Sequence, residues 1–114
     1  MARERLHGAR TNLAAGLTSS ATSLAYYAIL YGARAALSEE DRHAKTHRGT
    51  WDLFHEAFVA SGRFDAGLSS QARAAQRARE DTDYDARPIP QDEAEGLVAL
   101  AERFLAEIEL LVGA

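Results

Sequence analysis

Apolar residues recur at helical spacing along most of the chain, and no stretch shows the alternation of a half-buried strand. The pattern is widest in SLAYYAILYGARAAL, where one stripe contains Leu24, Tyr27, Ala28, Tyr31 and Ala35, flanked by Tyr26, Leu30, Ala33 and Leu37. A stripe this wide predicts the central buried helix of the molecule. Before it, Leu6, Leu13 and Leu17 share one face and predict a first helix.

A short aromatic helix is predicted after the central one. Trp51, Phe54 and Phe58 recur at positions i, i+3 and i+7, and Ser61 and Gly62 follow as a helix end. The polar run before Trp51 contains Gly49, which we expect to permit a sharp connection between the two helices.

Two more helices complete the predicted fold. Asp65 is a suitable N-cap for a helix through QARAAQRARED, which Pro88 and Pro90 bring to an end. The last helix opens with acidic residues and buries a stripe of Leu97, Leu100, Ala101, Phe104, Leu105, Ile108, Leu111 and Val112. The chain is therefore predicted to be all-α, an antiparallel bundle of four to five helices.

Composition limits what kind of protein this is. Its 114 residues are 46% hydrophobic and 26% charged, which predicts a single domain over residues 1–114. The absence of Cys excludes disulfides, thiolate nucleophiles and Cys-based zinc sites. The first ten residues are too polar for a signal peptide, and Arg34 interrupts the longest apolar run. We expect a cytoplasmic protein that does not enter a membrane.

Charge is unevenly distributed along the chain. The net charge is −4, but residues 42–79 carry seven basic and three acidic side chains, whereas residues 80–114 carry two basic and ten acidic ones. An acidic protein binds nucleic acid poorly without specificity, because contacts with phosphates supply most of that affinity. The basic middle third could still hold one phosphate or a short strand.

Common motifs for nucleotides and metals are missing. The sequence has no glycine-rich phosphate loop of Walker or Rossmann spacing. His55 and Glu56 begin an HExxH pattern, but Val59 occupies the position of its second His. His43 and His47 are four residues apart without an obvious third ligand. We therefore predict no metal site and no cofactor.

Two polar segments carry the residue types of metal-free RNA cleavage. One is the connection with Lys45, His47 and Arg48; the other is RAAQRAREDTDYD, which contains Arg73, Arg77, Arg79, Asp81, Asp83 and Tyr84. Arginine binds phosphate and stabilises a phosphorane, while His, Tyr or a carboxylate can move protons. The alternative is a solvated helix face with Arg–Glu pairs, and the residues alone leave both interpretations open.

Four segments occur in a characteristic order within residues 12 to 110: LAYYAILYGARAAL, KTHRGTWDLFHEAFVASGRFD, RAREDTDYD and EAEGLVALAERFLAEIE. Their order resembles the small stand-alone HEPN proteins (higher eukaryotes and prokaryotes nucleotide-binding domain). The resemblance implies a bundle of four or five helices that commonly forms a homodimer. It also implies a frequent partner, a minimal nucleotidyltransferase that acts as an antitoxin.

The resemblance also indicates the site residues. HEPN ribonucleases carry an Arg followed, after four to six residues, by a His, with a Tyr two positions later in toxins that have a nucleotidyltransferase antitoxin. Here Arg77 is followed at the histidine position by Thr82 and then by Tyr84, so the motif histidine is absent. Arg79 with Asp83 and Tyr84 matches a variant in which Asp-Tyr replaces the ending with His.

The resulting hypothesis has catalytic and supporting sets of residues. Arg77, Arg79, Asp83 and Tyr84 are the predicted catalytic residues, and Lys45, His47, Arg48 and Arg73 are the predicted phosphate-binding ones. Because Thr82 cannot titrate near neutral pH, a proton relay would need Asp83, Tyr84 or a histidine from the connection. Tyr84 would be the residue that an antitoxin nucleotidylates.

Three functions remain open at this point. The first is a HEPN toxin or defence effector that acts on RNA as a metal-independent endoribonuclease with a degenerate motif. The second is a non-catalytic module that binds a nucleotide or RNA, or supports a nucleotidyltransferase. The third is a structural dimer without a ligand.

We expect Tyr26, Tyr27 and Tyr31 to be core or dimer-surface aromatics, and His55 to be a hydrogen-bonded packing residue.

Overall fold

The computed structural model describes residues 1–85 and 88–113, and of residues 78 and 80–85 it describes the backbone alone. Its helices are α1 (Ala2–Ala14), α2 (Thr18–Glu39), α3 (His47–Phe54, continued by a π-helical turn, His55–Val59), α4 (Ala66–Asp85) and α5 (Gln91–Leu111). No strand occurs in these described ranges. The prediction of an all-α helical bundle is confirmed.

Helix α2 is the centre of the bundle. It packs against α1, α3, α4 and α5. The predicted burial of the helix is confirmed, since Ala28 and all four flanking residues of the stripe are buried, but so are Ala25 and Ile29, which the stripe did not include. The other stripe residues are less buried than predicted: Leu24, Tyr27 and Tyr31 are partly buried and Ala35 is exposed. Gly32 faces α5 so closely that an added Cβ would lie 2.5 Å from a methyl of Leu105. A small residue at this position therefore allows the two helices to approach.

Helix α1 is shorter than its leucine pattern predicts. It ends at Ala14, and Gly16 follows in the left-handed conformation with φ of +78°. Leu17 is consequently an exposed residue before α2 rather than part of the apolar face of α1. The chain reverses direction at this glycine, so the periodicity of α1 does not extend across it.

Two ion pairs between α1 and α5 show the relative direction of these helices. Arg3 pairs with Glu109, and Arg10 pairs with Glu102. Moving seven residues forward along α1 thus moves seven residues backward along α5. The two helices are antiparallel.

Helix α3 begins earlier than the sequence predicts. Thr46 is its N-cap, since the Thr46 hydroxyl accepts a hydrogen bond from the backbone N–H of Gly49 at 2.9 Å. His47 and Gly49 are therefore helical, not part of a sharp connection. A Cβ on Gly49 would lie 2.8 Å from the Thr46 hydroxyl oxygen. Glycine serves here to let the cap approach the backbone.

An aromatic cluster joins α3, its π-helical turn and α5. The ring of Phe104 lies 5.9 Å from Trp51, 5.8 Å from Phe54 and 5.3 Å from Phe64, measured between ring centres. Phe58 lies 5.1 Å from Phe54 and is also buried. The predicted burial of Trp51, Phe54 and Phe58 is confirmed, and their packing fixes the orientation of α3.

Helices α4 and α5 both begin at the positions that the sequence signals predict. The Asp65 carboxylate accepts a hydrogen bond from the backbone N–H of Leu68 at 2.7 Å and so caps α4. Helix α5 starts after Pro90 and carries Asp92 and Glu93 in its first turn. In the described part of the chain, none of the helices combines the length and apolar character needed to cross a membrane.

Candidate functional site

Arg79 of α4 lies on two tyrosines of α2. Its guanidinium carbon is 4.9 Å from the ring centre of Tyr27 and 6.0 Å from that of Tyr26. These distances fit a cation–π contact, in which the electron-rich ring faces attract the positive charge. The Nε atom of Arg79 is buried. The tyrosine pair therefore holds a partly buried guanidinium at the junction of α2 and α4.

His47, the first residue of α3, contacts the same tyrosine pair. Its Nδ1 atom is 3.3 Å from the hydroxyl oxygen of Tyr26, within hydrogen-bonding distance. The His47 ring centre lies 5.7 Å from that of Tyr26 and 6.2 Å from that of Tyr27. The connection before Trp51 and the arginine of α4, distant in sequence, thus meet on one surface of α2. We call Tyr26, Tyr27, His47 and Arg79 the tyrosine–histidine–arginine cluster.

A hydrogen-bond chain fixes the start of α3, and with it His47. Arg34 of α2 donates from Nε to the Thr50 hydroxyl at 3.2 Å. Thr50 in turn donates to the backbone carbonyl of Thr46 at 2.8 Å. Since Thr46 also caps the helix, the first turn of α3 is attached to α2 at several points. His47 is held by a rigid helix end rather than by a loop.

Tyr26 is fully buried, and its environment favours the neutral phenol. Burial raises the pKa of Tyr26 above its ordinary value, because a phenolate would lose its hydration. Three neighbours partly oppose this rise. They are the Trp51 indole N–H, which lies near the Tyr26 hydroxyl without the geometry of a full hydrogen bond, and the positive charges of Arg79 and Arg34. Tyr26 therefore acts as a neutral hydrogen-bonding partner for His47 at physiological pH.

Three other predicted residues line a separate groove. Arg48 of α3 and Arg73 and Arg77 of α4 surround a space of about 400 Å³, together with Ser70, Ala74 and Gln76. Arg77 and Arg79 are two residues apart, which on a helix is a rotation of about 200°. The two arginines predicted to act together in catalysis consequently lie on opposite sides of α4. We call this space the arginine groove.

The family model for the HEPN domain matches residues 1–111. The chain belongs to the HEPN family. The resemblance in the four sequence segments is thereby confirmed, and the bundle described above is the HEPN fold of this chain.

Curated relatives agree with this assignment. The chain is 33% identical to the UPF0332 protein glr0978 of Gloeobacter violaceus, over 91% of this chain and 84% of that protein. It is 36% identical to a UPF0332 protein of Archaeoglobus fulgidus, over 73% and 66% of the two chains. It is 28% identical to a Methanocaldococcus jannaschii protein named "Putative toxin MJ0605", over 96% and 81%.

Part of the predicted HEPN site lies outside the described residues. This applies to the side chains of Asp81, Thr82, Asp83 and Tyr84, whose roles stay predictions. Lys45 is exposed, and within the described residues its side chain makes no ion pair or hydrogen bond. In the same described part of the chain, no group of three His, Asp or Glu side chains is placed to bind a metal ion.

The sequence did not predict the part that Tyr26 and Tyr27 take in the tyrosine–histidine–arginine cluster. Both were expected to be packing aromatics, and Tyr26 is indeed buried, but its hydroxyl also contacts His47. A signal was present: a tyrosine rather than a phenylalanine on a buried stripe needs a partner for its hydroxyl. His55 was expected to be buried and hydrogen-bonded, but it is exposed on the π-helical turn. That prediction is wrong.

The cluster offers two chemical functions side by side. Arg79 supplies a permanent positive charge suited to a phosphate. His47 supplies an imidazole, the side chain that ordinarily exchanges protons near neutral pH. His47 and Tyr27 are only partly buried, so one side of the cluster is accessible from solvent.

Proposed function

We propose that this HEPN protein is a toxin or defence effector that acts on RNA as a metal-independent endoribonuclease with a degenerate motif. The observation that carries the proposal is the meeting of Arg79 and His47 on the Tyr26–Tyr27 pair. The Arg-to-His spacing typical of the family lacks its histidine at Thr82. His47 supplies an imidazole from α3 instead. The name of the relative MJ0605 is in keeping with a toxin.

The proposed reaction uses the RNA's own 2′-hydroxyl. Its oxygen attacks the neighbouring phosphorus while the P–O5′ bond breaks, giving a 2′,3′-cyclic phosphate and a free 5′-hydroxyl. One proton leaves the 2′-oxygen and one proton must reach the departing 5′-oxygen. His47 carries one of these transfers, and Arg79 neutralises the charge that develops on the phosphorane.

Tyr26 is the proposed positioning residue for His47. Its buried hydroxyl is 3.3 Å from Nδ1, which leaves the Nε2 atom of the imidazole as the one to exchange protons with RNA. Because the phenol stays neutral, it orients the imidazole ring without adding a negative charge beside it. Asp83 and Tyr84 remain candidates for the second proton transfer.

Control by a nucleotidyltransferase antitoxin is part of the same proposal, as is a homodimer that brings two copies of the site together. Tyr84 is the proposed modified residue. Coexpression with such an enzyme should add the mass of a nucleotide to the wild-type protein and to Tyr31→Phe but not to Tyr84→Phe. Modification of both variants alike would remove Tyr84 from the proposal.

The absent motif histidine favours a second candidate function. In it, the cluster binds a nucleotide or RNA phosphate without cleaving it, and the protein supports a nucleotidyltransferase. Arg79 would keep its binding role, because a guanidinium binds phosphate whether or not a proton is transferred. The two functions differ in whether RNA is cut.

The test is incubation of the purified protein with mixed RNA in excess EDTA. We expect cleavage that persists in the chelator and leaves 2′,3′-cyclic phosphate ends. Arg79→Gln should lower the rate about hundredfold, as does loss of one donor to a developing oxyanion. The matched control is Arg10→Gln, which makes the same charge change at an arginine paired with Glu102 on α5.

The outcomes separate the candidates. Intact RNA with retained, Arg79-dependent RNA binding supports the non-catalytic module. Equal activity in Arg79→Gln and Arg10→Gln contradicts both roles for the cluster.

A further inference from the structure

The arginine groove is built from two helices and presents a concentrated positive charge. Arg48 comes from the first turn of α3, and Arg73 and Arg77 come from α4. All three side chains belong to exposed residues. The chain as a whole has a net charge of −4, so a local concentration of three arginines runs against the general charge of the protein.

Charge pairing within the groove is incomplete. Arg73 donates from Nη2 to the Asp52 carboxylate at 2.7 Å, and both side chains are exposed to solvent. Neither Arg48 nor Arg77 has an ion pair or hydrogen bond to any residue in the described part of the chain. Two guanidinium groups are therefore available to an anion, and a third is shared with one carboxylate.

The residues that line the groove are better suited to bind a phosphate than to contact another protein. Its polar members are three arginines, Ser70 and Gln76, all of which carry N–H or O–H donors, and Ala74 is the apolar residue among the described ones. Protein interfaces are typically centred on buried aromatic or aliphatic side chains, which this lining does not offer. A guanidinium fork instead matches the two free oxygens of a phosphodiester.

The groove adjoins the tyrosine–histidine–arginine cluster without being part of it. His47 and Arg48 are consecutive residues at the start of α3, and they belong to the cluster and the groove respectively. Arg73 and Arg77 are four residues apart, about 6 Å along α4, and lie on one face of it. Because α4 separates these two arginines from Arg79, a single strand held at the cluster would reach them by passing over the first turn of α3, where His47 and Arg48 are neighbours.

We propose that the arginine groove is a second phosphodiester-binding site, which holds an RNA strand beside the position acted on at the cluster. The inference rests on the proposed function in that it takes RNA as the ligand. It assigns Arg48, Arg73 and Arg77 to binding rather than to catalysis. It also assigns Asp52 an opposing role, because its carboxylate competes with phosphate for Arg73.

The experiment measures binding of a fluorescein-labelled single-stranded RNA of eight nucleotides by anisotropy, at several salt concentrations. Every nucleotide of this RNA carries a 2′-O-methyl group, which removes the attacking hydroxyl, so that the RNA is not cut during the measurement and Arg79 stays in place. Arg48→Gln and Arg77→Gln should each weaken binding about threefold to tenfold and reduce the salt-dependence slope by about 0.7. Asp52→Asn should strengthen binding about twofold to fivefold, since the competing surface pair is lost.

Arg10→Gln is the matched control, because it changes the net charge equally outside the groove. Circular dichroism of every variant excludes unfolding as a cause of weaker binding. The proposal is overturned if Arg48→Gln and Arg77→Gln bind RNA as tightly as Arg10→Gln, or if the protein does not bind this RNA at all. Displacement of the RNA by a poly-glutamate peptide of equal charge at equal concentration would indicate an acidic protein ligand and would also overturn it.

These results are distinguishable from failure of the proposed function. If the protein does not cleave RNA in EDTA but its RNA binding depends on Arg48 and Arg77, the groove proposal stands and the ribonuclease proposal fails. If the protein cleaves RNA but binds it independently of these two arginines, the ribonuclease proposal stands and the groove proposal fails.

Discussion

The guanidinium of Arg79 and the imidazole of His47 share Tyr27: the arginine carbon lies 4.9 Å from the centre of that ring, and the histidine ring meets it edge-on at 6.2 Å. These residues are 32 positions apart in sequence, on α4 and α3 respectively. Their meeting places a permanent positive charge beside an imidazole.

Arg79→Lys should behave much more like Arg79→Gln than like the wild type. Lysine keeps the positive charge but loses the planar guanidinium, which stacks on Tyr27 and binds phosphate with two parallel hydrogen bonds. We expect at least a tenfold loss of growth inhibition or RNA cleavage, as a lost charge-assisted contact implies. Measured dose–response in cells expressing each variant checks this. Full activity of Arg79→Lys would show that only charge matters at this position.

Tyr26→Phe should weaken both stability and activity. It removes the hydroxyl that contacts Nδ1 of His47 and leaves the buried ring in place. The free energy of unfolding at neutral pH should fall by about 1 kcal/mol, the typical net contribution of one hydrogen bond. Urea unfolding measures the change. Tyr31→Phe is the control, since the Tyr31 ring also packs on Tyr27 but its hydroxyl has no hydrogen bond within the described residues.

The pH dependence of stability should reveal the raised pKa of Tyr26. The folded protein holds the phenol proton more tightly than the unfolded chain, whose tyrosine pKa is about 10. The contribution of Tyr26 to stability is therefore complete below about pH 10 and is lost as the pH rises through the raised folded pKa. The difference in unfolding free energy between wild type and Tyr26→Phe should shrink over that range. A difference that stays constant above pH 10 would contradict this.

Thr46→Ala should loosen the start of α3. The Thr46 hydroxyl caps the helix at Gly49, and its loss should cost about 1 kcal/mol of unfolding free energy. Because His47 is the first residue of this helix, activity should fall as well. Thr46→Ser keeps the capping oxygen and should restore both properties. Equal stability of the Ala and Ser variants, measured by thermal unfolding, would argue against the cap.

Phe104→Ala should destabilise the protein by about 3–5 kcal/mol, because it leaves a cavity within the aromatic cluster. The control is Leu110→Ala on the same helix, whose side chain is 73% exposed and whose loss should change stability little. Chemical denaturation measures both. This expectation concerns the fold alone and holds whatever the function of the site.

Local signals in the sequence account for most of the fold. The burial of α2, the aromatic repeat of α3 and the Asp65 cap each depend on residues close in sequence, and all three were predicted. The exact buried face of α2 was not, since it includes Ala25 and Ile29 and leaves Ala35 exposed. The early start of α3 was not predicted, because its cap, Thr46, lies within a uniformly polar run. The exposure of Leu17 was missed for a similar reason, since the left-handed Gly16 ends the helix inside an unbroken leucine pattern.

The candidate site was predictable in part. Two of the three segments that form it, on α3 and α4, were identified from residue types, but their meeting depends on the packing of both helices against α2, which one sequence does not determine. The separation of Arg77 from Arg79 could have been predicted, since residues two apart on a helix point in nearly opposite directions. The contact between Tyr26 and His47 could not, because it joins α2 to the first turn of α3.

The most direct test of the account is a double-mutant cycle for RNA cleavage in excess EDTA. It compares the initial rates of the wild type, His47→Asn, Arg79→Gln and the double variant. Each single variant should be about hundredfold slower than the wild type, and the double variant should be little slower than the worse single one, as for residues that act as one unit. A wild-type rate in His47→Asn, or a double variant slowed by the product of both single effects, would contradict a shared site.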